Sequence, residues 1–262
     1  KAIVCVKQVP DTQGKVAVKA DGTMDRSAMA TITNPDDLNA VEAALQLKDE
    51  TGCEVVVVTM GPPPAEGMLR ELMARGADRG VLVSGREFGG SDTFATSQIL
   101  ARCRQQDRRR PQRTSFSCGR QAIDGDTAQV GPEMAEILGL PHVAYVKNDP
   151  EVTESEVVCE REIETGVEVI RVKLPAVLTV LKDINVPRLP LLSDEDGRQG
   201  KGNPRLGALR TWACRKIRLV WQGSVTTVMK TFTPDPRGNC RMIEGSEEEM
   251  IGALLPVIEA VQ

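Results

Sequence analysis

The sequence predicts an α/β protein built on a doubly wound, mostly parallel sheet, with an antiparallel hairpin and an extended C-terminal arm. Three observations carry this. Short apolar runs alternate with helix-period stretches through the first half of the chain. Residues 54–60 read EVVVVTM, a continuous β-branched run that needs cover on both faces, as a strand inside a parallel sheet does. A turn-rich stretch at 118–132, CGRQAIDGDTAQVGP, joins the end of an apolar run to a helical pattern.

The elements follow in order. Residues 2–6 form a short buried strand and 8–11 a loop. Residues 16–24 suggest a hairpin excursion around Asp21-Gly22. Asn34-Pro35-Asp36-Asp37 opens a helix with acids in its first turn, which suits the dipole. Leu38, Val41, Ala44, Leu45 and Leu47 give it an apolar stripe, and Gly52 stops it. Gly61-Pro62-Pro63-Pro64 breaks the strand at 54–60. Met68, Leu69, Leu72 and Met73 mark a second helix that ends near Gly76. A strand at 80–83 is followed by Ser91-Asp92-Thr93, a cap for a third helix carrying Ile99 and Leu100. Ser117 and Cys118 end the next strand. From Ala128 the spacing of Val130, Met134, Ile137 and Leu138 is helical. Residues 143–146 return to strand, 156–160 and 167–173 alternate as an antiparallel pair, and 175–181 suit a strand re-entering the sheet. After Pro187 the globular pattern fades. Gly, Pro, Asp and Arg dominate 193–210, 225–232 reads as a short strand or contact segment, and 250–261 as a helix. The predicted division is 1–186, an α/β domain, and 187–262, a loop and arm.

Composition excludes several classes. With 40% hydrophobic and 27% charged residues, the 262-residue chain suits a globular domain plus an arm. A net charge of −4 offers no general attraction to nucleic acid. No apolar stretch approaches the roughly 20 residues of a membrane span, and the N-terminus reads directly as a strand. The seven Cys are scattered without a CxxC pair and His142 is the one His, which opposes a zinc or iron–sulfur site. An odd, unpatterned count fits reduced thiols and a cytoplasmic location. No nucleophile–base pair, GxSxG or GxGxxG motif is present.

In an open α/β sheet, ligands bind where strand ends meet helix starts, and an anion suits the helix N-terminus. Gly119 lets the chain leave its strand in a crowded place. Gln121, Thr127 and Gln129 add neutral donors. Asp124 and Asp126 would repel phosphate, so they are expected to cap the helix or to accept from ribose hydroxyls and loop N–H groups. Taken alone, most strand-to-helix loops with Gly, Asp and Thr are only turns with an N-cap. Four other loops, 5–10, 34–37, 60–63 and 90–97, should gather on the same edge.

GRQAIDGDTAQVGP resembles the adenine-nucleotide loop of electron-transfer flavoprotein β subunits. IVCVKQVPD, NPDDLNAVEAALQLKD, MGPP, RGADRGVLVS, GSDTFATS, LPAVLTVLKDINVPR and TTVMKTFTP resemble the same family in the same order. The resemblance implies a Rossmann-like, adenine nucleotide-binding fold. It implies that Cys5, Asn34, Asp37 and Met60 line the adenine and ribose. Gly119, Arg120, Gln121, Ala122, Asp124, Gly125, Asp126, Thr127, Ala128, Gln129, Val130 and Gly131 would form the phosphate-holding loop. Core packing for Cys5 and Met60, and helix capping for Asn34, are the plain alternatives.

Two kinds of relative differ in ligand. One holds AMP as a structural filler. The other holds FAD, takes electrons from NADH and splits the pair. GDTAQVGP together with GSDTFATS resembles the second, bifurcating kind, with Thr93 and Thr96 offering hydroxyls to a pyrophosphate. Arg86 and Arg120 would assist an anionic flavin or NADH phosphate, or else be surface charge. The implied partners are an α subunit, gripped by the C-terminal arm, and an acyl-CoA dehydrogenase or similar flavoenzyme. Leu191 and Leu192 would anchor a recognition loop that starts at Pro187. Redox chemistry would belong to the flavin, so no catalytic side chain is expected, and activity would need the complex.

Two stretches depart from the family. Residues 102–113 are dense in Arg ahead of RTSFS, where a central strand should be apolar, and 193–221 lacks the family's pattern. Real divergence and a local frame error are both open. An RNA-binding patch is opposed by the acidic balance and the lack of interleaved aromatics.

Overall fold

A computed structural model of the chain describes residues 1–11, 30–106, 115–148, 150–190, 210–212, 224–226, 229 and 242–259. The predicted excursion at 16–24, most of the Arg-rich stretch and Leu191 and Leu192 lie outside these residues.

The first strands are β1 (Ala2–Cys5) and a short antiparallel pair, β2 (Gln8–Pro10) with β3 (Thr31–Thr33). Residues 8–11, predicted as a loop, thus pair in part, because Thr31–Thr33 supplies an edge that local sequence does not announce. Helix α1 (Pro35–Thr51) ends on Gly52, whose φ of 68° is left-handed as a helix stop requires. There follow β4 (Val55–Met60), α2 (Ala65–Ala74), β5 (Arg79–Val83), α3 (Thr93–Gln106), β6 (Ser115–Gly119), α4 (Val130–Leu138) and β7 (His142–Val146). Then come β8 (Glu151–Val152), the antiparallel pair β9 (Glu156–Ile163) and β10 (Gly166–Lys173), and β11 (Val177–Val180). β12 (Arg210–Trp212) lies parallel to β5 at the sheet edge, where the sequence predicted irregular chain.

The strand order is β10-β9-β7-β11-β6-β1-β4-β5-β12, with β8 on β9. β1 pairs in parallel with β4 on one side and β6 on the other. The chain winds outward from β1 through β4 and β5, then crosses back to β6. The β1/β6 boundary is therefore the topological switch point. The side-chain period of two divides the core. Ala2, Val4, Val55, Val57, Leu178 and Val180 face one layer with residues of α1 and α2. Ile3, Cys5, Val56, Val58, Cys118 and Val177 face the other, with residues of α3 and α4. Among the described residues no helix is long and apolar enough to cross a membrane, and no cluster of His, Cys, Asp and Glu could hold a metal.

The described residues fall into two units. One runs to Met229. The other includes residues 242–259, with helix α5 (Glu247–Glu259). In α5, Ile251, Leu254, Leu255, Val257 and Ile258 are all exposed.

The strand that should not read RTSFS is nonetheless central. Ser117 pairs with Val4 and Leu178 in register. Backbone hydrogen bonding from both neighbours holds it despite poor side chains. A half-open pocket of about 230 Å³ lies under α1, lined by Ala43, Ala44, Leu47, Ser115, Ser117 and Leu178 among others. Two small hydroxyls stand where branched aliphatics would fill the layer. Ser117→Val should therefore raise stability by about 0.5–1.5 kcal/mol in urea denaturation, as cavity filling does. An unchanged or lower midpoint would show that the space is otherwise occupied.

Candidate functional site

Three segments meet at the switch point. β1 ends at Cys5 and the chain continues through Lys7. α1 begins after Asn34. β6 ends at Gly119, from which the loop 120–129 leads into α4. Asp37, in the first turn of α1, holds them together. Its Oδ2 accepts the Lys7 N–H at 2.8 Å and its Oδ1 accepts the Gly119 N–H at 2.8 Å. The residue is 6% exposed. Burial pushes its carboxyl up to about 7, against the pull of the Gly119 and Lys7 N–H groups and the Asn34 side chain.

Asn34 stands at the N-cap position of α1 without capping it. Its amide donates to the Gln121 carbonyl at 2.8 Å, and its Oδ1 accepts the Ile123 N–H at 3.1 Å. It is completely buried. The side chain thus shapes the loop rather than the helix. Gly119 is required by this approach. A Cβ there would lie 2.5 Å from the Asp36 Cβ and 2.6 Å from the Asp36 carbonyl carbon. Gly131 has the same duty against β11, where a Cβ would meet the Thr179 methyl at 2.4 Å.

The loop turns on hydrogen bonds from the Gly125 and Asp126 N–H groups to the Ala122 carbonyl. Asp126 and Ala128 are left-handed, with φ of 51° and 53°. For an alanine this conformation costs about 1–2 kcal/mol, so the surroundings must impose it. Residues 124–127 and Gln129 are exposed. The two acids do not cap α4. Asp124 accepts from Lys7 Nζ at 2.7 Å and Asp126 from Gln121 Nε2 at 2.8 Å. The partners on hand are nearer than the helix, which begins at Val130 rather than Ala128. Gln129 makes no side-chain cap, so the first N–H groups of α4 remain for another acceptor.

α3 begins beside α4. Thr93 Oγ1 lies 3.4 Å from Gln129 Oε1 and 3.1 Å from Glu133 Oε1, and can donate to one of them at a time. Ser97 Oγ lies 2.9 Å from Glu133 Oε2. Thr96 occupies the same first turn of α3. Cys5 packs in the core with its Sγ 4.0 Å from Met134 Sδ. Met60 ends β4 half-buried, and Arg86 is exposed in the turn Arg86–Phe88 after β5. Arg120 donates its N–H to the Val180 carbonyl. Its Nε is 3.8 Å from Asp36 Oδ2, and these two buried atoms have no hydrogen-bond partner among the described residues. Burial raises the Asp36 carboxyl, against the attraction of Arg120.

Hydrogen bonds thus pair Asn34 with Gln121, Gly119 with Asp37, Lys7 with both Asp37 and Asp124, and, separately, Thr93 with Gln129. Met60 and Arg86 share only the strand edge. Lys7, Ser97, Ile123 and Glu133 were not singled out from sequence. Lys7 follows a strand end and Glu133 is an acid in a helix's first turn, which are the signals that could have marked them.

The raised Asp37 carboxyl has a pH consequence. The folded chain binds its proton more tightly than the unfolded chain, whose carboxyl titrates near 3.8. Its contribution to stability is full below about 3.8 and is lost as pH rises through about 7. Asp37→Asn should remove this slope while losing about 1–3 kcal/mol, because one N–H is left unpaired. Denaturation midpoints of both proteins between pH 4 and 8 test this, and parallel curves would contradict it. Gly119→Ala should force α1 off the strand end and cost about 1–3 kcal/mol, measured in the same way.

The electron transfer flavoprotein domain model matches residues 21–206. The chain is 48% identical over 262 residues to the acryloyl-CoA reductase electron transfer subunit gamma of Anaerotignum propionicum, covering 96% of this chain and 95% of that protein. It is 41% identical to the caffeyl-CoA reductase-Etf complex subunit CarD of Acetobacterium woodii, covering 97% and 96%. It is 38% identical to the electron transfer flavoprotein subunit beta of Thermoanaerobacterium thermosaccharolyticum, covering 97% and 95%. With a sheet edge of this shape and likeness along nearly its whole length, the chain belongs to the electron transfer flavoprotein family and aligns with its β subunits.

Proposed function

We propose that this chain binds FAD at the switch point, accepts electrons from NADH, and passes them to the FAD of an α subunit and on to a flavoenzyme such as an acyl-CoA dehydrogenase. In flavin-based electron bifurcation the pair would be split, one electron following this path and the other leaving to a second, low-potential acceptor. The observation that supports it most is the meeting of two helix starts. The uncapped first turn of α4 lies beside the first turn of α3, with Thr93 Oγ1 reaching Gln129. The start of α4 offers uncapped N–H groups and a positive dipole end to a phosphate, while the start of α3, capped by Asp92, contributes the Thr93 hydroxyl beside it. The orphaned Asp36 Oδ2 and Arg120 Nε also fit a polar ligand group at the loop's start. The named roles of the relatives in acryloyl-CoA and caffeyl-CoA reductase systems support electron delivery to CoA-ester chemistry.

In this reading residues 119–131, with Thr93 and Thr96, hold the diphosphate, and Cys5 and Met60 border the adenosine. Asn34 and Asp37 position the loop from beneath, since their polar atoms are engaged with backbone. Arg86 and Arg120 supply positive charge. Bound FAD supplies the hydride-accepting and electron-carrying chemistry, while the chain binds, orients and excludes water. The exposed apolar residues of α5 support its docking on an α subunit. Arg188 supports a fixed base for the recognition loop. It pairs with Glu42 and Asp49 on α1, next to Leu189, which is 83% exposed. Leu191 and Leu192 would then extend toward the partner dehydrogenase.

A second reading, AMP as a structural filler, is favoured by Glu133. Its carboxylate already takes the Thr93 and Ser97 hydroxyls and would repel a second phosphate. Ligand extraction from the purified heterodimer separates the two. Two FAD per heterodimer supports the first, and one FAD with one AMP the second. Under the first, anaerobic NADH should bleach flavin absorbance in the heterodimer, and Thr93→Val should weaken retention of the β-side FAD by about tenfold, the worth of a hydrogen bond to a charged group.

A further inference from the structure

We propose that Asp92 is a positioning residue that fastens the distant segment 224–226 to the start of α3, and so ties the lead into the second unit to the nucleotide-holding edge. The two carboxylate oxygens have separate duties. Oδ1 accepts the Ala95 N–H at 2.9 Å, which is an ordinary helix N-cap. Oδ2 accepts the Val225 N–H at 2.8 Å, the Thr226 N–H at 3.0 Å and the Thr226 hydroxyl at 3.2 Å. The Asp92 N–H donates to Ser224 Oγ at 3.2 Å. A cap needs one oxygen. The other is wrapped by consecutive N–H groups of chain that lies 133 residues further on, as an anion is held in a backbone nest.

The charge supports this. Burial raises the Asp92 carboxyl, but the hydrogen bonds from Ala95, Thr226 and Val225 outweigh it and hold the group below its usual range. The carboxylate is therefore the form bound. Ser, Asn or Thr at this position would cap α3 as well, so capping alone does not account for an acid here.

Position gives the anchor its consequence. The first unit ends at Met229, shortly after the held segment. The next residue to Asp92 is Thr93, whose hydroxyl reaches Gln129 of the loop and Glu133 of α4. The anchored segment and the loop thus grip the same helical turn from two sides. Any displacement of that turn is felt by both. This consequence rests on the nucleotide reading of the site, whereas the anchoring itself does not.

The test compares Asp92→Ser and Asp92→Ala with the parent in the heterodimer by amide hydrogen exchange and by retention of bound adenine nucleotide, with FAD and AMP quantified. Asp92→Ser keeps a capping oxygen but cannot reach the segment. It should leave Ala95 protected while the Val225 and Thr226 amides exchange about tenfold faster, as expected for loss of charge-assisted bonds. Nucleotide retention should fall severalfold with it. Thr226→Val, which removes one donor from the other side, should move exchange of the same amides in the same direction if an Asp92 variant fails to fold. Unchanged exchange at Val225 and Thr226 in all variants would overturn the anchor. Faster exchange with parental nucleotide retention would overturn the tie to the loop. A parent heterodimer without adenine nucleotide on this subunit would instead defeat the nucleotide reading, and the exchange data would still judge the anchor.

Discussion

A buried carboxylate with two backbone N–H groups on its two oxygens is what the strand edge depends on. Asp37 joins the chain beyond β1, the end of β6 and the start of α1 at the β1/β6 boundary, where the winding first reverses. An aspartate in such surroundings is poorly solvated, which its raised carboxyl reflects. It is retained there because the N–H groups of Lys7 and Gly119 would otherwise be orphaned between a helix and two strands. Asn34 does the neutral version of the same work for Gln121 and Ile123. The loop in front of them can hold left-handed Ala128 and a bare helix start because its rear side is tied down.

The site is therefore layered. Polar groups at the back engage one another and the backbone, while N–H groups, Gln129 and the αL residues are presented at the front. That separation leaves the two acids of the loop, Asp124 and Asp126, engaged with cationic and amide donors. Lys7 and Gln121 occupy the two acids. It also explains the glycines, since Gly119 and Gly131 are set by contact with α1 and β11 rather than by turn geometry. Family membership and the named relatives agree with an electron-transfer flavoprotein subunit, and the uncapped start of α4 beside α3 is the local physical ground on which the proposed nucleotide site rests.

Element order and type were legible in the sequence where the period was strong. EVVVVTM became β4 with both faces covered, and the stripe from Leu38 to Leu47 became α1 with Gly52 as its stop. The hairpin at 156–173 and the return of β11 into the sheet were legible for the same reason. β3 and β12 were not, because three-residue strands have no period and exist only through their partners. Residues 115–117 were read both as the end of a strand and as too polar for a central one. Their polarity argued against a central strand, yet pairing with β1 and β11 on both sides outweighs side-chain preference, and a half-open pocket lies alongside.

By itself the sequence determined that a strand end, a glycine and a turn-rich loop lead into a helix, and that several such loops would share one edge. Those are local facts, set by hydrophobic period and by the missing side chain at Gly119. Only the tertiary structure decided which polar groups stand at the front of the loop and which hold the fold. Asn34 looks like a cap and is a strut, and Asp92 looks like a cap and is also an anchor for residues far along the chain. The physical reason is that a hydrogen-bonding side chain takes whichever unsatisfied partner the packing brings within about 3 Å, and partners distant in sequence leave no mark on its neighbours.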